Sequence, residues 1–111
     1  MTDDAVLVLT TTGAGFDVRA FARELLDLRV AACVTILPPM TSFYRWEGRI
    51  VEDVEQQLIL KTTRDRVDAL REAVFARHPY ELPEFVILDA RASAAYGAWL
   101  RTETTPAPSP G

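Results

Sequence analysis

Few side chains in this sequence could do chemistry. It contains one cysteine, Cys33, and one histidine, His78, and its only lysine is Lys61. A nucleophile and its general base must lie within hydrogen-bond reach of each other, whereas Cys33 and His78 are far apart in the chain. No catalytic spacing is visible, so we predict that the chain is not an enzyme and has no catalytic residues.

His78 and Cys33 are the candidate metal ligands. His78 directly precedes Pro79, and we interpret it first as the last residue of a helix, where an imidazole meets the negative end of the helix dipole. The alternative is a metal ligand, because imidazole nitrogens bind copper and zinc. Cys33 lies in an apolar run, which favours a buried, inert thiol over a soft ligand or a redox thiol.

Three charged residues are further candidates for a cleft or an interface: Glu47, Lys61 and Glu84. Lys61 follows the apolar run Leu58-Ile59-Leu60, so its ammonium group needs an acidic partner or water. We expect a salt bridge between subunits, with a contact to a substrate or another anion as the alternative.

Three aromatic residues, Tyr44, Trp46 and Tyr80, are placed where they could line a surface. Aromatic residues at alternate strand positions favour cross-strand or interface packing over a patch on which a ligand stacks. The two roles are compatible, because clefts between subunits are common sites for small molecules.

Length and charge limit the function classes. A chain of 111 residues with 49% hydrophobic residues and a mean hydropathy of +0.04 is typical of one globular domain. The net charge is -4 and the pI is near 4.9, so nucleic acid is an unexpected partner. No apolar run is long enough for a membrane span and the first residues are acidic, so we expect a cytoplasmic protein without a membrane partner.

The apolar pattern changes between period two and a helical period along the chain. It predicts strands over 5–11, 31–36, 41–46, 49–62 and 85–89, and helices over 16–29, 64–78 and 93–102. The turn residues 12–15 are expected to end the first strand. One domain over 1–103 is expected to precede a disordered, proline-rich tail over 104–111.

This order, βαββαβ with a C-terminal helix, predicts an α+β fold of the ferredoxin-like type. Its antiparallel sheet would carry both main helices on one face and none on the other. The strands on either side of the Glu47-Gly48 turn form one very long hairpin, too large for so small a chain to bury. We therefore expect self-association. The hairpin's acidic residues are expected to form a solvated edge that attracts cations weakly: Glu52, Asp53 and Glu55.

Several short segments are distinctive in combination: Ala31-Ala32-Cys33-Val34-Thr35, Trp46-Glu47-Gly48, Leu60-Lys61-Thr62, His78-Pro79-Tyr80, and Tyr96 with Trp99-Leu100. They resemble the CutA family of divalent-cation tolerance proteins. The resemblance implies a homotrimer of ferredoxin-like subunits, similar to PII signalling proteins, in which the long hairpins pair with neighbouring subunits.

The same resemblance implies a link to copper and other divalent cations. The family's cysteine and its two consecutive histidines correspond here to Thr10, Arg77 and His78. Only His78 is retained, and Arg77 places a fixed positive charge beside it, so we expect a divalent cation such as copper to be bound weakly at most.

The resemblance predicts a non-enzymatic homotrimer that takes part in the response to metal ions and binds small ligands or copper at its subunit clefts. The alternative is a PII-like module for small-molecule sensing or protein interaction without a metal. RNA binding on a sheet of this topology is disfavoured, because the aromatic residues would lie on an acidic surface.

Overall fold

The computed structural model of the protein describes residues 1–106. Along the chain its elements are β1 (Thr2–Gly13), α1 (Val18–Asp27), β2 (Cys33–Ile36), β3 (Met40–Trp46), β4 (Arg49–Thr63), a 3-10 turn (Arg64–Arg66), α2 (Val67–Arg77), β5 (Val86–Ala92) and α3 (Ala94–Thr104).

The five strands form one antiparallel sheet. Its order is β2, β4, β1, β5, and β3 pairs with the far half of β4. A ferredoxin-like chain places its strands in this order because each βαβ unit crosses over one strand of the sheet. The predicted α+β fold with an antiparallel sheet is confirmed.

The core lies between one face of the sheet and the helices α1 and α2. Alternate strand residues point into it, as the twofold strand period requires, and the helices add residues at a spacing of four. The fully buried members include Val6, Val8, Leu58 and Leu60 from the strands and Phe21, Leu25, Leu70 and Val74 from the helices. Each such side chain stabilises the fold by roughly 1.5–3 kcal/mol.

Helix α3 lies over one end of the opposite face, which we call the open face. Thr63 and Lys61 point to this face, since they alternate with core residues of β4. The hydroxyls of Thr63 and Thr104 are 3.3 Å apart, and the Lys61 Nζ donates to the Tyr96 Oη at 3.5 Å. The prediction that this face has no helix is therefore wrong at this end, because α3 returns across it.

Residues 40–55 form an arm that projects beyond β1, made of β3 and the first half of β4. Glu47 and Gly48 form its two-residue turn with φ values of 51° and 77°, as a hairpin turn of type I′ requires. Phe43 and Ile50 lie on the side of the arm that faces away from the open face, and they are 68% and 70% exposed. The arm is the predicted hairpin, with a break at Pro38-Pro39.

Several predicted boundaries are corrected by the pairing of the strands. The segment 12–15 does not end β1 at Thr11, because Thr12 and Gly13 still pair with β4. Strand β5 runs on to Ala92, since its end pairs with Thr2. Helix α3 runs on to Thr104, whose side chain is buried, so the tail does not begin there. Residues 107–111 of the predicted tail lie outside the described residues.

The helices also differ at their ends from the predicted ranges. Helix α1 begins at Val18, because the carboxylate of Asp17 caps it by accepting the Ala20 N–H at 3.1 Å. His78 is not helical but adopts an extended conformation just after α2. Within residues 1–106, no helix is both long enough and apolar enough to cross a membrane.

Candidate functional site

A cleft of about 890 Å³ lies on the open face, between the arm and residues 78–84. We call residues 78–84 the capping segment. The cleft walls combine aromatic and acidic side chains with apolar residues, the last being Met40, Pro79, Leu82 and Pro83. A cavity of this size and mixed lining is typical of sites that hold a small organic molecule.

The arm builds one wall through strand alternation and pairing. Tyr44 and Trp46 point to the same side of β3, as side chains two positions apart do. Pairing of Met40 with Glu55 and of Ser42 with Asp53 places both carboxylates on that side as well. The Tyr44 hydroxyl donates to Asp53 Oδ2 at 3.2 Å, which fixes the ring beside the acid.

The capping segment builds the opposite wall because β5 is short at this end. Strand β5 begins at Val86, opposite Leu9, and leaves the last residues of β1 to the capping segment. The Gln57 Nε2 donates to the Thr10 carbonyl at 2.8 Å and to Glu84 Oε2 at 2.9 Å. Gln57 thereby joins both central strands to the capping segment.

Glu55 is the central acid of the cleft. It is 6% exposed, and its Oε2 accepts a hydrogen bond from the Tyr80 hydroxyl at 2.8 Å. Burial of the ring and the nearby Glu55 carboxylate raise the pKa of Tyr80, so the phenol stays a protonated donor at neutral pH. No arginine, lysine or histidine within residues 1–106 forms an ion pair with Glu55.

His78 uses both ring nitrogens to hold the capping segment. Its Nε2 is 2.6 Å from the Thr11 carbonyl oxygen, and its Nδ1 accepts the Tyr80 N–H at 3.1 Å. A carbonyl oxygen can only accept, so this pairing assigns the proton to Nε2. Burial lowers the pKa of His78 despite the opposing effects of the Thr11 carbonyl and Glu55, which keeps the ring neutral.

These bonds leave His78 without a free nitrogen for a metal ion in the subunit. Within residues 1–106, no group of three or more histidine, cysteine or acidic side chains is placed to hold a metal. Thr10 and Arg77, which replace the family's cysteine and one of its histidines, also lie in surroundings that differ from a metal site. Thr10 is fully buried, and the Arg77 guanidinium donates to Glu24 Oε2 at 2.6 Å.

The structure brings together most of the residues proposed from sequence for a cleft. Tyr44, Trp46, Tyr80 and Glu84 all line it. Glu47 instead lies exposed in the turn at the tip of the arm.

Lys61 and Cys33 lie opposite each other on neighbouring strands, away from the cleft. The Lys61 Nζ is 5.7 Å from the centre of the Tyr96 ring, which suits a cation–π contact. No acidic group within residues 1–106 pairs with Lys61, so its salt bridge to another subunit stays a prediction. Cys33 is half-buried rather than buried, because β2 is an edge strand.

Sequence reasoning missed the other lining residues, among them Thr11, Glu55 and Gln57 from the two central strands. The assignment of Glu55 to a solvated edge is wrong, since its carboxylate is buried under Tyr80. The Glu47-Gly48 turn in the sequence could have predicted the orientation of Glu55. A two-residue turn at Glu47-Gly48 fixes the pairing of Met40 with Glu55, and therefore the side to which Glu55 points.

A family model described as CutA1 divalent ion tolerance protein matches residues 6–103. The chain belongs to this family. The divalent-cation tolerance protein CutA of Thermus thermophilus is 44% identical over 99 residues, which cover 88% of this chain and 96% of the relative. The CutA of Citrobacter koseri is 39% identical over 98 residues, which cover 87% and 85%. The prediction of a CutA family member that is not an enzyme is confirmed.

Solved CutA structures share the fold. CutA from Synechococcus elongatus has a TM-score of 0.86 at 40% identity, covering 94% of this chain and 93% of that one. CutA1 from Ehrlichia chaffeensis has a TM-score of 0.86 at 31% identity, covering 95% and 99%. The CutA1 family therefore accounts for the arm and for α3 as parts of a shared architecture.

Proposed function

We propose that this CutA1-family protein is a homotrimer that takes part in the response to divalent metal ions and binds a small ligand or cation at its subunit clefts. The relatives are named for divalent-cation tolerance. The observation that carries the proposal is the arm, which has an apolar side that the subunit leaves uncovered.

The uncovered side of the arm supports assembly. Phe43, Ile50 and Val54 point to it, and they are 68%, 70% and 50% exposed. Apolar residues grouped on a strand pair mark a protein interface, because water contact with them is unfavourable. Strand β5 adds exposed apolar residues at a sheet edge, which a neighbouring chain can cover.

A closed ring is the assembly that suits such an arm. An arm that packs on a different surface of its neighbour makes a heterologous contact, which must close into a ring to avoid a filament. The resemblance to the CutA family, which implies a PII-like homotrimer, supports a ring of three. The cleft lies at the base of the same arm but on its other side, the open face, so a neighbouring subunit would border the cleft where it reaches around the arm.

If the protein binds copper, the proposed ligand is His78. A copper ion would have to displace either the Thr11 carbonyl or the Tyr80 amide from the imidazole. Isothermal titration of copper into the wild type and His78→Ala tests it. Equal heats from the two proteins would exclude His78 as the ligand.

The occupied imidazole also favours the second candidate, a PII-like module that senses a small molecule without a metal. A thermal-shift screen of nucleotides, divalent cations and metabolites separates the two, because a ligand specific to the folded state raises its melting temperature. A shift with metabolites alone supports the second candidate. A shift with cations that depends on His78 supports the first.

The assembly is tested with one pair of substitutions. Ile50→Lys places a charge on the uncovered side of the arm, and we expect sedimentation to show smaller species. Leu28→Lys is the matched control, because Leu28 is 45% exposed at the end of α1 and away from the arm. Equal masses for both variants and the wild type would argue against the arm as the interface.

A further inference from the structure

We propose that the cleft binds an organic cation, an ammonium or guanidinium group carried on an apolar or aromatic body. This inference deepens the proposed function, since it names the ligand class of the same cleft. It rests on three features of the described residues: the charge of the lining, the burial of Glu55, and the aromatic and apolar walls.

All charged residues in the described lining of the cleft are acidic. Glu55, Glu81 and Glu84 line it, and the described lining includes no arginine, lysine or histidine. Asp53 adds a fourth carboxylate beside Tyr44. Arg49 pairs with Trp46 near the tip of the arm and does not line the cleft. An anionic ligand would be repelled here, so phosphates and carboxylic acids are excluded as the preferred class.

The burial of Glu55 strengthens the electrostatic attraction between the cleft and a cation. The Glu55 side chain is nearly all removed from water, and within residues 1–106 the Tyr80 hydroxyl is the only side-chain group that donates to it. A desolvated carboxylate without a cation leaves much of its charge unbalanced, and that charge interacts strongly in a medium of low dielectric. A cation that enters the cleft would supply the missing partner, whereas a neutral ligand would not.

The remaining walls determine what kind of cation fits. Tyr44, Trp46 and Tyr80 place three aromatic rings around the acids, and such rings attract organic cations through their π-electrons. Both tyrosine hydroxyls donate to carboxylates, which holds the two rings beside the acids. Met40 and Leu82 offer apolar surface to the carbon body of a ligand.

A bare metal ion fits these walls poorly. Divalent cations need several oxygen or nitrogen ligands close together, and within residues 1–106 no three acidic, histidine or cysteine side chains are placed so that they could hold a metal ion. One oxygen of Glu55 is already occupied by Tyr80. The volume of about 890 Å³ also suits a molecule rather than an ion.

The test compares ligands of equal shape and different charge on the wild-type protein in solution. Choline is titrated against 3,3-dimethylbutan-1-ol, and phenethylammonium against 2-phenylethanol, by isothermal calorimetry. We expect each cation to bind at least about tenfold more tightly than its neutral counterpart. Equal affinities within both pairs, or no binding of either cation, would overturn the proposal, as would a cleft already filled by an arginine of a neighbouring subunit.

Two pairs of variants locate the binding. Glu55→Gln should lower the affinity for the cation by about tenfold. The control is Glu52→Gln, which removes the same charge from an exposed position on the opposite side of β4. This control should change the affinity by less than about twofold. If the cation binds beside Trp46, it should quench the tryptophan fluorescence of the wild type. This quenching should disappear in Trp46→Phe and persist in Trp99→Phe, since Trp99 lies outside the cleft. Equal effects within either pair would refute the assigned site.

The same samples separate this inference from the proposed assembly. Their mass is measured by light scattering before titration. A trimer that does not prefer cations overturns the ligand class and leaves the assembly standing. A monomer that prefers them overturns the assembly and supports the ligand class.

Discussion

The Tyr80 hydroxyl donates a 2.8 Å hydrogen bond to the buried carboxylate of Glu55. This bond joins the capping segment to the middle of β4, and both residues line the cleft. It also explains why an acidic side chain is tolerated at a buried strand position, since a charge without any donor there would strongly destabilise the fold.

Removal of the donor should therefore destabilise the protein. We expect Tyr80→Phe to lower the free energy of unfolding by about 1–3 kcal/mol, because it leaves the buried carboxylate without its donor. Urea denaturation followed by circular dichroism measures this change. Tyr96→Phe is the control, since among the described residues the Tyr96 hydroxyl makes only a long contact, to Lys61 at 3.5 Å. A loss in Tyr80→Phe no larger than in the control would contradict this role.

Acid should weaken the fold through His78. Burial lowers the pKa of His78 below its usual value in the folded state, so its contribution to stability is fully present above the unfolded pKa of about 6.5 and is lost as the pH falls through the folded pKa. Protonated Nδ1 would also face the Tyr80 N–H as a second donor.

His78→Gln isolates this effect, because the chain has no other histidine. Thermal melts between about pH 7.5 and pH 5.5 should show a steeper decline for the wild type than for the variant. Parallel curves would show that the titration of His78 does not affect folding.

The turn of the arm should respond in opposite directions to two substitutions. Glu47 and Gly48 both have positive φ, where glycine and asparagine are favoured. We expect Gly48→Ala to cost about 1 kcal/mol and Glu47→Asn to raise stability by a few tenths of a kcal/mol. Denaturant titration measures both, and a destabilised Glu47→Asn would indicate that the Glu47 carboxylate has a role beyond the turn.

Helix α3 should depend on a small residue at its contact with β1. A Cβ atom at Gly97 would overlap the Thr2 hydroxyl. Gly97→Ala is therefore expected to destabilise the fold by about 1–3 kcal/mol. The double variant Thr2→Ala, Gly97→Ala should recover part of the loss, because it removes the overlapping group. No recovery would indicate that α3 is displaced for another reason.

The sequence predicts the sheet and the helices well for a physical reason. The core residues of β4 and α1, such as Leu58, Leu60, Phe21 and Leu25, follow the periods of a strand and a helix, and these periods follow from local geometry. The end of β1 was missed because Gly13 lowers the local preference for a strand, while pairing with β4 outweighs that preference.

The cleft was predicted only in part, and the missing part depends on tertiary contacts. Tyr44 and Trp46 were found because aromatic residues are conspicuous on a strand. The burial of Glu55 depends on Tyr80, which reaches it from a segment with no regular structure. The path of such a segment is set by the space that β5 leaves open, and local sequence carries little information about that space.

The most direct test of the account is the mass of the wild-type protein at micromolar concentration, measured by light scattering. The account predicts a stable particle of about three times the 12.4 kDa chain, because the uncovered side of the arm requires neighbouring subunits. A folded, stable species of 12.4 kDa would contradict it.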